Sequence, residues 1–121
     1  MSPEQPAKLL RIHISEGDRH QGKPLYEALV EKCRELKISG ATVFRGLEGY
    51  GETAGMHKPQ LMGHDQPIVI AIVDSAENIA RLVRAAEEMM TTGVIAASEV
   101  RALRVQKKTP QGSPASRQQI E

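Results

Sequence analysis

The eight residues Pro67-Ile68-Val69-Ile70-Ala71-Ile72-Val73-Asp74 decide the fold of this chain. Between the proline and the aspartate runs an unbroken apolar segment, which predicts a strand. Alternate residues of a strand point to opposite faces, so this strand is apolar on both of them. The three isoleucines lie on one face, and Val69, Ala71 and Val73 lie on the other.

The sequence after this strand predicts a helix and then a last strand. Asp74 is a suitable helix-capping residue, and Glu77 follows three residues later, as in a capping box. Thr92-Gly93 ends the helix, and a strand is predicted over about residues 99–105. The apolar stripe of the helix consists of Ile79, Leu82, Val83, Ala86 and Met89 or Met90.

The sequence before this strand predicts a strand, a helix and a further strand. Leu10, Ile12 and Ile14 alternate with polar residues, which is typical of a strand with one buried face. Apolar residues then recur at helical spacing over residues 22–37. Residues 41–44 predict a short strand.

The resulting order β-α-β-β-α-β predicts an α+β fold, the ferredoxin-like sandwich. In that topology an antiparallel four-stranded sheet carries both helices on one face, and the strand over residues 68–73 lies at its centre. The helices leave the second apolar face of this strand uncovered. We therefore expect that face to pack against another subunit.

The predicted domain spans residues 8–105. Residues 1–7 carry two prolines and no periodicity, and residues 106–121 offer little to bury, so we expect a disordered N-terminal tail and a flexible C-terminal tail. A long loop is predicted over residues 49–66. A loop of that length in so small a domain is usually functional or disordered.

Charge and composition exclude several classes of function. The chain has 16 Lys+Arg against 15 Asp+Glu, a formal net charge of +1, which disfavours nucleic acid as a partner. Aromatic residues make up 2% of the chain, too few for a base-stacking surface. The sequence has no apolar run long enough to insert in a membrane and a single cysteine, so we expect a cytoplasmic protein.

The residues in and around the long loop suggest an anion-binding site. Gly49 and Gly51 would let backbone N–H groups approach a phosphate. Arg45, where the strand meets the loop, is a candidate partner for a phosphate or carboxylate. A surface salt bridge from Arg45 to Glu48 or Glu52 is an equally good interpretation. Near the C-terminal end, a second basic cluster is either a charged strand end and tail or a clamp for one phosphate group. It comprises Arg101, Arg104, Lys107 and Lys108.

Other chemistry has less support. His57 and His64 lie in the long loop and are the candidate metal ligands, but their spacing is not that of a helical pair and no cysteine pair accompanies them. The sequence has no nucleophile elbow and no Walker A run, so we expect no enzyme activity. Cys33 falls beside an apolar helical stripe and is expected to pack in the core.

Two long segments carry a resemblance to a known family. They are Gly17-Asp18-Arg19-His20-Gln21-Gly22-Lys23-Pro24-Leu25-Tyr26 and Ser39-Gly40-Ala41-Thr42-Val43-Phe44-Arg45-Gly46-Leu47-Glu48-Gly49-Tyr50-Gly51. Residues 67–74 and 99–101 complete the match, which extends from Leu9 to Val105. On these segments the chain resembles the PII-like signalling superfamily and, within it, domain of unknown function family 190.

The resemblance implies a homotrimer of ferredoxin-like subunits whose sheets face inward. It implies a small effector, commonly an adenine nucleotide, bound in clefts between subunits. The long loop would then contact a target protein, often a membrane transporter or an enzyme. The alternative within this fold is a trimer similar to the CutA copper-tolerance proteins, with His57 and His64 binding a divalent metal.

The resemblance also implies roles for particular residues. Gly49-Tyr50-Gly51 matches the glycine pair at the base of the long loop, and Thr92-Gly93 matches the start of a phosphate-binding loop. Arg104 matches a basic residue that reaches the ligand of a neighbouring subunit. Residues 92–98 lack the further glycines and the basic residue of nucleotide-binding relatives. The expected ligand contacts are Arg45, Gly46, Glu48, Gly49, Gly51, Lys58, Thr92, Gly93, Arg104 and Lys107.

Overall fold

The computed structural model describes residues 4–47 and 66–107. Within these ranges the chain forms two helices and six strands, two of which are two-residue strands of a small hairpin. In chain order the elements are β1 Gln5–Ser15, β2 Arg19–His20, β3 Lys23–Pro24, α1 Leu25–Glu35, β4 Thr42–Arg45, β5 Pro67–Asp74, α2 Ala76–Met89 and β6 Val94–Ala102.

The four long strands form one antiparallel sheet in the order β4-β5-β1-β6. Both helices pack on one face of it, which confirms the predicted ferredoxin-like fold with β5 in the centre. The register of β1 against β5 places Leu10 opposite Ile72 and Ile12 opposite Ile70. These four side chains are buried, because they point toward the helices rather than toward solvent.

The hydrophobic core lies between this face and the apolar stripes of the two helices. Its strand members come from alternate positions of β1 and β5, as the sequence pattern predicts. Cys33 lies in this core, and burial raises the pKa of its thiol. The core consists of Leu10, Ile12, Ile14, Leu25, Leu29, Cys33, Ile68, Ile70, Ile72, Ile79, Leu82 and Ala86.

The opposite face of the sheet, which we call the outer face, has no helix over it among the described residues. Phe44 and Val73 on this face have 55% and 43% of their surface exposed. Two positively charged or titratable residues, Arg11 and His13, also lie there. By strand register the face includes Leu9, Arg11, His13, Thr42, Phe44, Val69, Ala71, Val73, Val94, Ala96 and Ser98.

The ends of two strands differ from the sequence prediction. β1 begins at Gln5, so residues 5–7 belong to the sheet and not to a disordered tail. β6 covers Val94–Ala102 and not residues 99–105, because it pairs along β1 from His13 to Gln5. Val94 and Ile95 favour a strand, but Ala96 and Ala97 do not, and backbone pairing to β1 continues the strand through them.

Helix α2 is capped by Ser75 and not by Asp74. The Ser75 hydroxyl accepts a hydrogen bond from the Asn78 backbone N–H at 3.1 Å. Asp74 instead accepts hydrogen bonds from the backbone N–H groups of Ser39 and Ser75 and from the Asn78 side chain. Partial burial raises the pKa of the Asp74 carboxyl, but these hydrogen bonds outweigh it, so the pKa lies below its ordinary value.

The lowered pKa of Asp74 predicts a pH-dependent contribution to stability. A carboxylate with a lower pKa in the folded state stabilises the fold above its unfolded pKa and ceases to do so as pH falls through its folded pKa. We expect Asp74→Asn to lower the free energy of unfolding by about 1 kcal/mol at pH 7, a value discounted for exposure. In urea unfolding, the difference in free energy of unfolding between Asp74→Asn and wild type should be smaller at pH 3 than at pH 7. An equal difference at both pH values would contradict this role.

No helix in the described ranges is long and apolar enough to cross a membrane.

Candidate functional site

One end of the sheet brings together residues that the sequence places far apart. β1 and β4 end here, and β5 and β6 begin here, because neighbouring strands are antiparallel. The register pairs Arg45 with Ile68, Ile68 with Ile14, and His13 with Val94. Arg45 and Gly46 therefore lie at the same end of the sheet as Thr92 and Gly93. We call this the Arg45 end of the sheet.

The guanidinium of Arg45 forms an ion pair with Glu16, where the sequence had suggested Glu48 or Glu52 as a partner. The contact joins Arg45 Nη2 to Glu16 Oε2. The Glu16 side chain has 19% of its surface exposed and that of Arg45 has 51%. Arg45 thus already binds a carboxylate in this structure, which is the type of group that the sequence predicts as its ligand.

Glu16 is held in a turn with several hydrogen bonds. Its backbone N–H donates to the Gln66 carbonyl at 2.8 Å, just before β5. The buried Ser15 beside it donates its N–H to the Asp18 carboxylate at 2.9 Å. Asp18 returns a backbone bond to the Ser15 carbonyl at 3.0 Å. Asp18 therefore stabilises the turn that positions Glu16.

Gly46 continues the pairing of β4 with β5. Its backbone N–H donates to the Pro67 carbonyl at 2.8 Å. A Cβ atom at this position would lie 2.9 Å from Pro67 Cγ, so the contact requires glycine or a shift of the proline ring. In this structure the Gly46 N–H therefore extends the pairing of β4 with β5 by one hydrogen bond.

Thr92 and Gly93 form the turn between α2 and β6. Gly93 has φ +129°, and a Cβ atom there would lie 2.8 Å from the His13 carbonyl oxygen and 2.7 Å from Met90 Cε. The turn borders an open pocket of about 360 Å³ that Glu87 also lines. Gly93 is therefore required for packing against β1, whether or not it contacts a ligand.

Arg104 and Lys107 lie at the other end of the sheet. Both are exposed and follow β6, whose last residue, Ala102, pairs with Gln5. The length of β6 separates them from the Arg45 end by about 26 Å, at about 3.3 Å per residue. Within one protomer, Arg45 and Arg104 do not share a site.

The remaining candidate residues lie outside the described ranges. They are Glu48, Gly49, Gly51, Lys58 and, for the metal alternative, His57 and His64. Within residues 4–47 and 66–107, no group of three or more metal-ligating side chains is close enough to hold a metal ion.

Sequence reasoning missed Glu16. The only signal was its place in the charged segment over residues 15–23. Glu16 and Arg45 are 29 residues apart, and only the strand order β4-β5-β1 brings them together.

Comparison with solved structures defines the class of fold. The structure of CPII from Thiomonas intermedia K12 bound to ADP, AMP and acetate aligns with a TM-score of 0.64 and 18% identity, covering 85% of this chain and 94% of CPII. A protein from Thermus thermophilus that is described as PII-like aligns with a TM-score of 0.61 and 21% identity, covering 84% of this chain and 94% of the other. The fold is that of PII-like proteins.

Sequence comparison assigns the family within that class. The model of domain of unknown function family 190, described as uncharacterized ACR, matches residues 7–102. The chain belongs to this family. It is 43% identical over 76 residues to the UPF0166 protein of Aquifex aeolicus, covering 61% of this chain and 72% of that protein. It is 36% identical over 78 residues to a UPF0166 protein of Methanocaldococcus jannaschii, covering 63% and 71%.

Proposed function

We propose that this protein is a cytoplasmic PII-like regulator that forms a homotrimer and binds an adenine nucleotide in clefts between subunits. It carries out no catalysis, and it passes the signal to a target protein, a membrane transporter or an enzyme, through the loop over residues 49–66. The PII-like fold supports this proposal, since solved structures with that fold include CPII with bound ADP and AMP.

The single observation that carries the proposal is the distribution of basic residues over the sheet. Arg45 lies at one end, and Arg104 and Lys107 lie at the other. Two basic groups that clamp one phosphate must be close together. A neighbouring subunit can bring its Arg104 to the Arg45 end, which makes the cleft between subunits the natural place for an anion.

The outer face supports a trimer. It is a largely apolar sheet surface with Phe44, Val73 and Val94 partly exposed. Apolar surface of this kind favours association, and inward-facing sheets would bury it. In this trimer, the same association of subunits would bury the outer face and form the anion-binding cleft.

The phosphate contacts in this cleft would differ from a glycine-rich cradle. Most of residues 92–98 belong to β6, and Gly46 donates its N–H to Pro67. The Gly46 N–H is therefore not available to an anion. The charged side chains of Arg45 and Arg104 would supply most of the attraction.

We expect Arg45→Gln to weaken ADP binding by about 10-fold or more, because a charge-assisted hydrogen bond contributes about 1.5–3 kcal/mol. Calorimetric titration of ADP and AMP into the full chain measures this directly. Arg84→Gln is the matched control, since Arg84 is an exposed arginine on α2. Equal ADP affinity in the Arg45 variant and wild type would remove Arg45 from the site, and no binding to wild type would reject the nucleotide.

A further inference from the structure

The ion pair between Glu16 and Arg45 differs from the other ion pairs of the described residues. The pairs Lys23 with Glu31, Lys32 with Glu35, and Arg101 with Glu4 have at least 34% of each side chain exposed. Glu16 is much less exposed, at 19%. Its pair also connects the turn after β1 to the end of β4, across the start of β5. A carboxylate in this position is a fixed part of the Arg45 end of the sheet.

We propose that Glu16 is an intramolecular competitor for the effector: its carboxylate occupies the anion-binding side of Arg45 until an effector anion displaces it. The inference rests on the proposed function and adds to it how the same site is regulated. A carboxylate and a phosphate oxygen accept the same guanidinium N–H groups. Binding of the effector then exchanges one anion for another on Arg45.

The turn around Glu16 makes it an effective competitor. Bonds from the Glu16 N–H to Gln66 and between Ser15 and Asp18 hold the backbone, and the Leu25 N–H adds a further bond to the Asp18 carbonyl. A tethered group of this kind acts at a high effective concentration. Weak monovalent anions would fail to displace it, whereas a phosphate that carries more charge would succeed. Glu16 thereby sets both the threshold and the selectivity of the site.

The test compares the affinity of wild type and Glu16→Gln for ADP by calorimetry, with the full chain. We expect the variant to bind ADP about two- to five-fold more tightly, because the free energy of a partly exposed ion pair corresponds to a change in affinity of this size. In an Arg45→Gln background, Glu16→Gln should change the affinity little. Glu35→Gln is the matched control, because it breaks the Lys32 pair at the far end of α1.

Each outcome decides between the two proposals. If wild type binds ADP and Glu16→Gln binds it equally or less tightly, the competition is rejected and the proposed function stands. If Glu16→Gln raises the affinity for ADP equally in the Arg45→Gln background, Glu16 acts by repelling the anion directly. That result would also reject the competition for Arg45. Titration with inorganic phosphate is the second probe. If ADP binds neither protein but phosphate binds Glu16→Gln more tightly, the competition stands and the nucleotide is rejected. No binding of either probe rejects both.

Discussion

Replacing Ala71 with lysine is expected to convert the proposed trimer into folded monomers. Ala71 lies near the centre of the outer face, between Arg11 on β1 and Thr42 on β4. No carboxylate lies at the strand positions of this face, so a lysine there would find no partner. Burying an unpaired charge costs several kcal/mol, which weakens association by about three orders of magnitude. Light scattering coupled to size exclusion gives the molar mass.

The control for Ala71→Lys is Ala80→Lys, the same change of side chain on the exposed face of α2. That variant should keep the mass of the wild type. Both variants should remain folded, since surface substitutions change the stability of the subunit itself by about 0.5 kcal/mol or less. An Ala71→Lys protein that remains trimeric would mean that the subunits do not meet through the outer face.

The second large effect is expected from Gly93→Ala. Its φ of +129° is a conformation that residues with a Cβ atom rarely adopt, and the added atom would press on the His13 carbonyl and Met90. Backbone strain of this kind costs about 1–3 kcal/mol, and the steric contact adds to it. We expect the free energy of unfolding, measured in urea, to fall by about 2–4 kcal/mol.

Gly40→Ala provides the matched comparison for Gly93→Ala. A Cβ atom at Gly40 would meet no heavy atom within 4 Å, and Gly40 does not have a positive φ. This variant should unfold within about 0.5 kcal/mol of wild type. If Gly93→Ala is as stable as Gly40→Ala, then the packing of the α2–β6 turn against His13 is not what requires glycine at position 93.

The sequence was sufficient to predict the order of elements and the core. Ile68, Ile70 and Ile72 show the strand period, and Ile79, Leu82 and Ala86 show the helical period. These patterns are local and reflect the burial of one face of each element. The ferredoxin-like topology then follows from the order of strands and helices.

The ends of β1 and β6 could not be predicted in the same way. Residues 5–7 contain a proline and no apolar alternation, yet they pair with residues 100–102 of β6. This pairing uses backbone groups of a distant strand, which leave no trace in the local pattern. The cap of α2 is a similar case, since Asp74 and Ser75 are both good capping residues and only the hydrogen bonds to Ser39 and Asn78 distinguish them.

Four of the expected ligand contacts lie together in the structure. Arg45, Gly46, Thr92 and Gly93 lie at one end of the sheet. The pair of Arg45 with Glu16 was not predicted, because Glu16 reaches it only through the strand order and lies 29 residues away in the sequence. The roles of Gly46 and Gly93 in close packing were also missed, since they depend on Pro67 and His13 from other strands.

In the proposed trimer, Arg45 of one subunit and Arg104 of its neighbour bind the same anion. The measurement that tests it most directly is calorimetric titration of ADP into trimers reassembled from equal amounts of Arg45→Gln and Arg104→Gln chains. Neither variant alone should bind ADP well, but in mixed trimers about a quarter of the clefts combine both wild-type arginines and should bind with wild-type affinity. Mixed trimers that bind no better than the separate variants would contradict a site shared between subunits.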